Sequence, residues 1–147
     1  MSILQFTSVP EGHWDFAGMG TSLTCVTHCI ATPFLVGLMP ALELVEKETH
    51  TAFVFVILCI GLLAFVPGYR HHRSWRVPVL GLIGVGMLSA GVAMPEGLMN
   101  ETLETLITVL GGITLILAHI RNAYYCRLCR VCGKEPCRGE AQIAANI

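Results

Sequence analysis

Charge is what this sequence has least of. Asp, Glu, Lys and Arg together make up 13% of the 147 residues, about half of what a soluble domain carries. That scarcity points to a membrane protein rather than a soluble domain. The formal net charge is −1, which says less than where the charges lie; nucleic acid is not expected among the partners. Lys and Arg are missing altogether from the first seventeen positions, and the first apolar run carries Cys and His. A cleavable signal is therefore not expected. No internal repeat stands out.

In place of charge there is apolar length. Hydrophobic residues account for 54% of the chain and gather into four runs, at about 16–40, 51–67, 77–95 and 102–120. Each reads as a membrane-spanning helix, the second being short enough to need tilting neighbours or local thinning. The expected fold is an all-α membrane protein: four transmembrane helices in a bundle over residues 1–125, then a cysteine-rich tail over 126–147. Pro67-Gly68 is expected to stop the second run, and Pro78 to open the third within its first turn. In that third run Gly81, Gly84, Gly86, Ser89, Ala90 and Gly91 would let helices approach closely. Cys59, alone in the second run, reads as core.

Basic residues set the orientation. Eight of the nine Lys and Arg lie in the turn Gly68–Arg76 or from Arg121 onward, and the opposite side has only Lys47. Both termini are therefore expected to be cytoplasmic. Trp14, Tyr69, Trp75, Tyr124 and Tyr125 fall near the same interface, where amphipathic rings anchor helices.

Within the first run lies CVTHC. A helix advances 100° per residue, so Cys25, His28 and Cys29 share one face within about 100°, along with Thr21, Ser22 and Thr32. Soft and borderline ligands on a polar stripe inside a membrane suggest a metal site. The plainer alternative is two small buried thiols and a histidine bonded to a neighbouring helix. Pro33 is expected to kink this helix.

The fourth run has a stripe of its own. Glu101, Glu104, Thr105, Thr108, Gly112, His119 and Asn122 lie within about 60° of the Glu101 direction. Glu101 and Glu104 fall at the outer mouth and His119 at the inner one. The stripe reads either as one wall of an ion path or as a packing face. In the tail, Cys126, Cys129, Cys132 and Cys137 fall within twelve residues, a strong signal for metal or cluster chemistry. The spacing departs from the bacterial iron–sulfur run, so zinc or another soft ion fits at least as well.

The order of these features resembles the MerC family of mercuric-ion transport proteins. The carrying residues are CVTHCIATP, GYRHHRSW and ETLETLITVLGGITLILAHIRN ahead of a cysteine-rich end, and the likeness runs from about Asp15 to Cys132. It implies a four-helix protein of the bacterial inner membrane that takes mercuric ion on the periplasmic side. The ion would pass to cytoplasmic thiols, or to a mercuric reductase. The cysteine pair is wider here than the family's Cys-x-x-Cys, with His28 inside it. A mixed sulfur–nitrogen set also suits zinc or copper(I), which leaves the ion open.

The expected mechanism is transport without a catalysed step and without a resident cofactor. Glu101 and Glu104 draw in the cation, Cys25 and Cys29 capture it with His28 assisting, and His119 lies on the way to Cys126, Cys129, Cys132 and Cys137. Two other classes stay open: a membrane thiol–disulfide oxidoreductase coupled to a quinone, and a membrane-anchored metal sensor.

Overall fold

A computed structural model describes residues 13–39, 43–93 and 100–132; within them the side chains of 43–47, 101 and 129–132 are not described. The Cys137 expectation and the end of the third run at Pro95 lie outside these residues, whereas the stretch expected to link the first two runs is helical from Glu43 onward. Four helices follow in order: α1 (His13–Leu38), α2 (Glu43–His72), α3 (Arg76–Ala93) and α4 (Glu101–Cys132). There is no strand among the described residues.

Each helix contains a stretch long and apolar enough to cross a bilayer: His13–Leu38, Glu48–His72, Arg76–Ala93 and Thr102–Leu128. The outer surface agrees. Phe16, Phe34, Leu38, Phe55, Leu82 and Leu106 are all more than half exposed, which water penalises and lipid does not. The chain is a multi-pass membrane protein. Cys59 also faces outward rather than into the core. Its neighbour Ile57 takes the inward position instead, at 2% exposure.

Capping groups explain two of the boundaries. α4 starts behind Asn100, whose Oδ1 accepts the Leu103 N–H at 2.8 Å. α2 runs through Pro67-Gly68 to His72. Proline removes a single donor, and a backbone surrounded by lipid and protein keeps its remaining hydrogen bonds by staying helical. α2 ends instead at Arg73, in the left-handed region at φ 55°, whose N–H bonds the Tyr69 carbonyl at 2.8 Å. α1 likewise continues past Pro33 to Leu38. α4 extends beyond Ile120, so the backbone of Cys126, Cys129 and Cys132 lies on its last turns.

α4 packs against all three other helices, and α2 also packs against α1 and α3. At the crossing of α3 with α4 the backbones nearly touch. A Cβ on Gly84 would lie 3.0 Å from the Gly111 carbonyl, and one on Gly111 would lie 3.0 Å from that of Gly84. The core has two centres. Cys25, Cys29, Ile57, Leu88 and Leu115 form one, and Ala64, Phe65, Val77 and Ala118 the other.

Candidate functional site

The site grows from one stripe of α1. Asp15, Gly18, Ser22, Cys25, Cys29 and Thr32 are its buried residues, spaced by threes and fours as one helix face requires. Leu23 and Ile30 point outward. Across the seam α4 runs antiparallel. His119 packs on Gly18, Gly112 on Val26, and Thr108 shares a cavity with Cys29.

Hydroxyls on α1 are mostly satisfied within the helix. Thr21, Thr24, Thr27 and Thr32 each donate to the carbonyl one turn back, at 2.8 to 2.9 Å, the usual remedy for a hydroxyl in an apolar setting. Ser22 is different. It is 0% exposed and its Oγ has no hydrogen-bond partner.

Cys25 and Cys29 are both 3% exposed and unpaired by any disulfide. They line a cavity of about 10 Å³ with His50, Val54, Leu88, Val92 and Thr108, which is roughly the size that admits one water-sized sphere. His50 Nε2 stands 3.7 Å from Cys29 Sγ. His28, the imidazole expected beside the thiols, does not line this cavity. Its ring stands edge-on to His50 at 5.1 Å and beside Phe53 at 5.7 Å, with Nε2 buried and unpartnered. The chemistry available at the cavity is two sulfurs with one nitrogen at its edge, the remaining wall being Thr108 and the apolar Val54, Leu88 and Val92. Among the described residues, no three His, Cys, Asp or Glu stand close enough to share an ion.

A second polar cluster occupies the other end of the seam. His72 Nδ1 accepts the Ser74 N–H at 3.0 Å, which leaves Nε2–H to donate to Asn122 Oδ1 at 3.1 Å. That fixes the amide. Asn122 Nδ2 therefore donates to both oxygens of Asp15, at 3.1 and 3.0 Å, and to the Ala64 carbonyl at 3.2 Å. Asp15 Oδ1 also meets His119 Nδ1 at 3.0 Å. A carboxylate only accepts, so Nδ1 carries the hydrogen. Phe65 stacks on the His119 ring at 4.6 Å and Gly18 closes the opposite edge. His119 Nε2 is buried with no partner.

The structure thus brings Cys25 and Cys29 together and places His119 in a closed niche farther along the same seam. Glu104 is half-buried one turn before Thr108, whose hydroxyl donates to its carbonyl at 3.0 Å. Cys126 is half-buried; the side chains of Glu101, Cys129 and Cys132 lie outside the description. Sequence reasoning missed His50, Asp15 and His72. For Asp15 a signal existed, since an acidic residue on the buried stripe of a spanning helix invites a partner.

No curated protein and no solved structure matches the chain. A family model described as MerC mercury resistance protein matches residues 15–124, from the buried carboxylate of α1 past the His119–Asn122 turn of α4. The chain belongs to the MerC mercury resistance family.

Proposed function

We propose that this protein carries mercuric ion inward across the bacterial inner membrane by thiol ligand exchange. The observation behind this reading is the pair of buried thiols, Cys25 and Cys29, on one cavity sized for a single atom. Mercuric ion favours two soft sulfur ligands, whereas zinc favours four donors in a tetrahedron. Two sulfurs with a single nearby nitrogen fit the former better. Glu104, one turn from the cavity, and Glu101 draw the cation to the outer mouth. Binding displaces the thiol protons. The ion then passes to the cytoplasmic thiols Cys126, Cys129, Cys132 and Cys137, or to soluble thiols and a reductase. Both termini are cytoplasmic in this reading, following the placement of eight of the nine basic residues. No bond of a substrate is made or broken, so the protein acts as a carrier and not as an enzyme.

The test is mercuric-ion uptake by cells or vesicles containing the protein. Cys25→Ser and Cys29→Ser are each expected to abolish uptake, because a two-sulfur site fails when either sulfur is lost. Normal uptake by both variants would sink the reading.

A further inference from the structure

The thiol cavity is closed unequally along the seam. On the Glu104 side His50, Val54, Val92 and Glu104 are half-buried. On the other side Ser22, Leu115, Ala118 and His119 are all 0% exposed, and beyond them lies the cluster built on Asn122. We propose that this cluster is a latch: it holds the seam shut on the cytoplasmic side, and the last turn of α2 swings away to let the bound cation leave. The proposal rests on the ion-carrier reading and orientation above, and it adds the element that must move.

Asn122 is the centre of the latch. Its Nδ2 donates to both Asp15 oxygens on α1 and to the Ala64 carbonyl on α2, while its Oδ1 accepts from His72 Nε2. One side chain of α4 thereby ties two neighbouring helices, and His119 adds a second tie to Asp15 at 3.0 Å. His72 Nδ1 accepts the Ser74 N–H, which extends the tie to the turn leading into α3. Asp15, His72, His119 and Asn122 are all buried, where a hydrogen bond is strengthened by the low dielectric and has no water to replace it.

α2 is built to bend next to this cluster. Pro67 brings no N–H for the Leu63 carbonyl, so one rung of the helix is missing just before the turn that carries His72. Gly68 follows, and the Asn122 amide occupies the place where its Cβ would be. At the far end Arg73 sits at φ 55°, a left-handed conformation that a residue with a side chain adopts at a cost. Bending at Pro67-Gly68 carries His72 off Asn122. The Asn122 amide, no longer held from that side, then turns off Asp15, and α1 parts from α4 below the thiols.

The closed arrangement also leaves polar atoms unsatisfied. Ser22 Oγ and His119 Nε2, on the path between the thiols and the latch, are buried without a protein partner. That cost narrows the gap between closed and open states. A latch that releases in every cycle needs a narrow gap, whereas a clamp that only holds the fold does not. No group changes its protonation or oxidation state in the motion.

Sided accessibility of the thiols tests the latch without any metal. In the full chain Cys59, Cys126, Cys129, Cys132 and Cys137 are replaced by Ser, so that only Cys25 and Cys29 react. A membrane-impermeant methanethiosulfonate is then added to right-side-out or inside-out vesicles. Asn122→Ala removes the centre of the latch. His72→Ala frees the last turn of α2 alone and keeps the test open if Asn122→Ala fails to assemble. Each should raise the labelling rate from the cytoplasmic side at least about tenfold and leave the rate from the periplasmic side unchanged. Gly84→Ala loosens the α3–α4 crossing away from the latch; it controls for lost stability and should keep the parent's rates. Parent rates in either assembled variant, equal gains from both sides, or an equal gain in Gly84→Ala would overturn the latch. The carrier reading is judged separately, by uptake. If Cys25→Ser and Cys29→Ser carried mercuric ion normally while His72→Ala opened the pair from the cytoplasmic side, that reading would fall and the latch would stand as a gate on the cavity alone.

Discussion

His50 reaches the thiol cavity from α2, 3.7 Å from Cys29 Sγ, while His28 stands behind it against Phe53. A contact of this kind contributes about 1 kcal/mol. His50→Ala is therefore expected to weaken mercuric-ion binding about fivefold, and His28→Ala by less than about twofold; titration of the purified protein would decide, and equal losses would contradict the geometry. This division was not legible in the sequence. His28 shares a helix face with the cysteines, so the 100° rule puts it beside them, but its ring, carried on one methylene, turns towards His50 and Phe53 of the neighbouring helix. His50 sits in a polar stretch that reads as linker, and only the packing of α2 on α1 brings it in. A second residue-scale consequence concerns Gly18. The His119 ring is pinned by Asp15 and Phe65 and lies where a Gly18 side chain would have to go. Gly18→Ala should cost about 1–3 kcal/mol of stability by overpacking, visible as a lower midpoint in thermal unfolding in detergent. Gly20, with nothing within 4 Å of its Cβ position, is the control and should accept Ala without loss.

At the scale of helices, α3 shows how far a pattern can be read. Its buried residues are Val77, Gly81, Gly84, Leu88 and Gly91, spaced four, three, four, three, the repeat of a seam between packed helices. The sequence reading recognised the small residues as contact makers but took them as one set, without separating Gly86 from the rest. Gly86 breaks the repeat, and nothing lies within 4 Å of its Cβ position. Gly84, by contrast, faces the Gly111 carbonyl and Leu115. Gly84→Ala should push α3 from α4 and lower the unfolding midpoint, again by about 1–3 kcal/mol, whereas Gly86→Ala should be neutral or slightly stabilising. Equal effects would mean that α3 turns a different face to the bundle. The four spans themselves were legible because apolar length is a one-dimensional signal. Helix ends were less so. Pro67-Gly68 is a strong local stop in water, but a membrane leaves the broken backbone no solvent to bond, and α2 continues to the Arg73 cap.

Across the whole molecule polar groups gather along the seam of α1 with α4, joined from α2 at each end: half-buried His50 beside the thiols, then Ser22, then His119, Asp15 and Asn122 with His72. In the proposed orientation, with both termini cytoplasmic, that line would run from the outer half of the membrane to the inner turn, and the backbone of α4 continues to Cys126, Cys129 and Cys132. Capture and delivery are then separate stages, and they can be tested separately. An ion held by two buried sulfurs leaves slowly unless a third thiol attacks, and exchange is faster when thiolates are dense. Arg127, Arg130 and Lys134 alternate with the tail cysteines and favour their ionised forms. Replacing Cys126, Cys129, Cys132 and Cys137 together by Ser should therefore leave loading of Cys25 and Cys29 unchanged but slow release on the cytoplasmic side. The measurement is loading of vesicles with mercuric ion, followed by a chase in thiol-free medium. Added glutathione should restore release in the variant, because a soluble thiol can make the same attack from the same side. If wild type and the four-serine variant release equally in thiol-free medium, the tail takes no part in the pathway, and delivery depends on cytosolic thiols reaching the inner end of the seam.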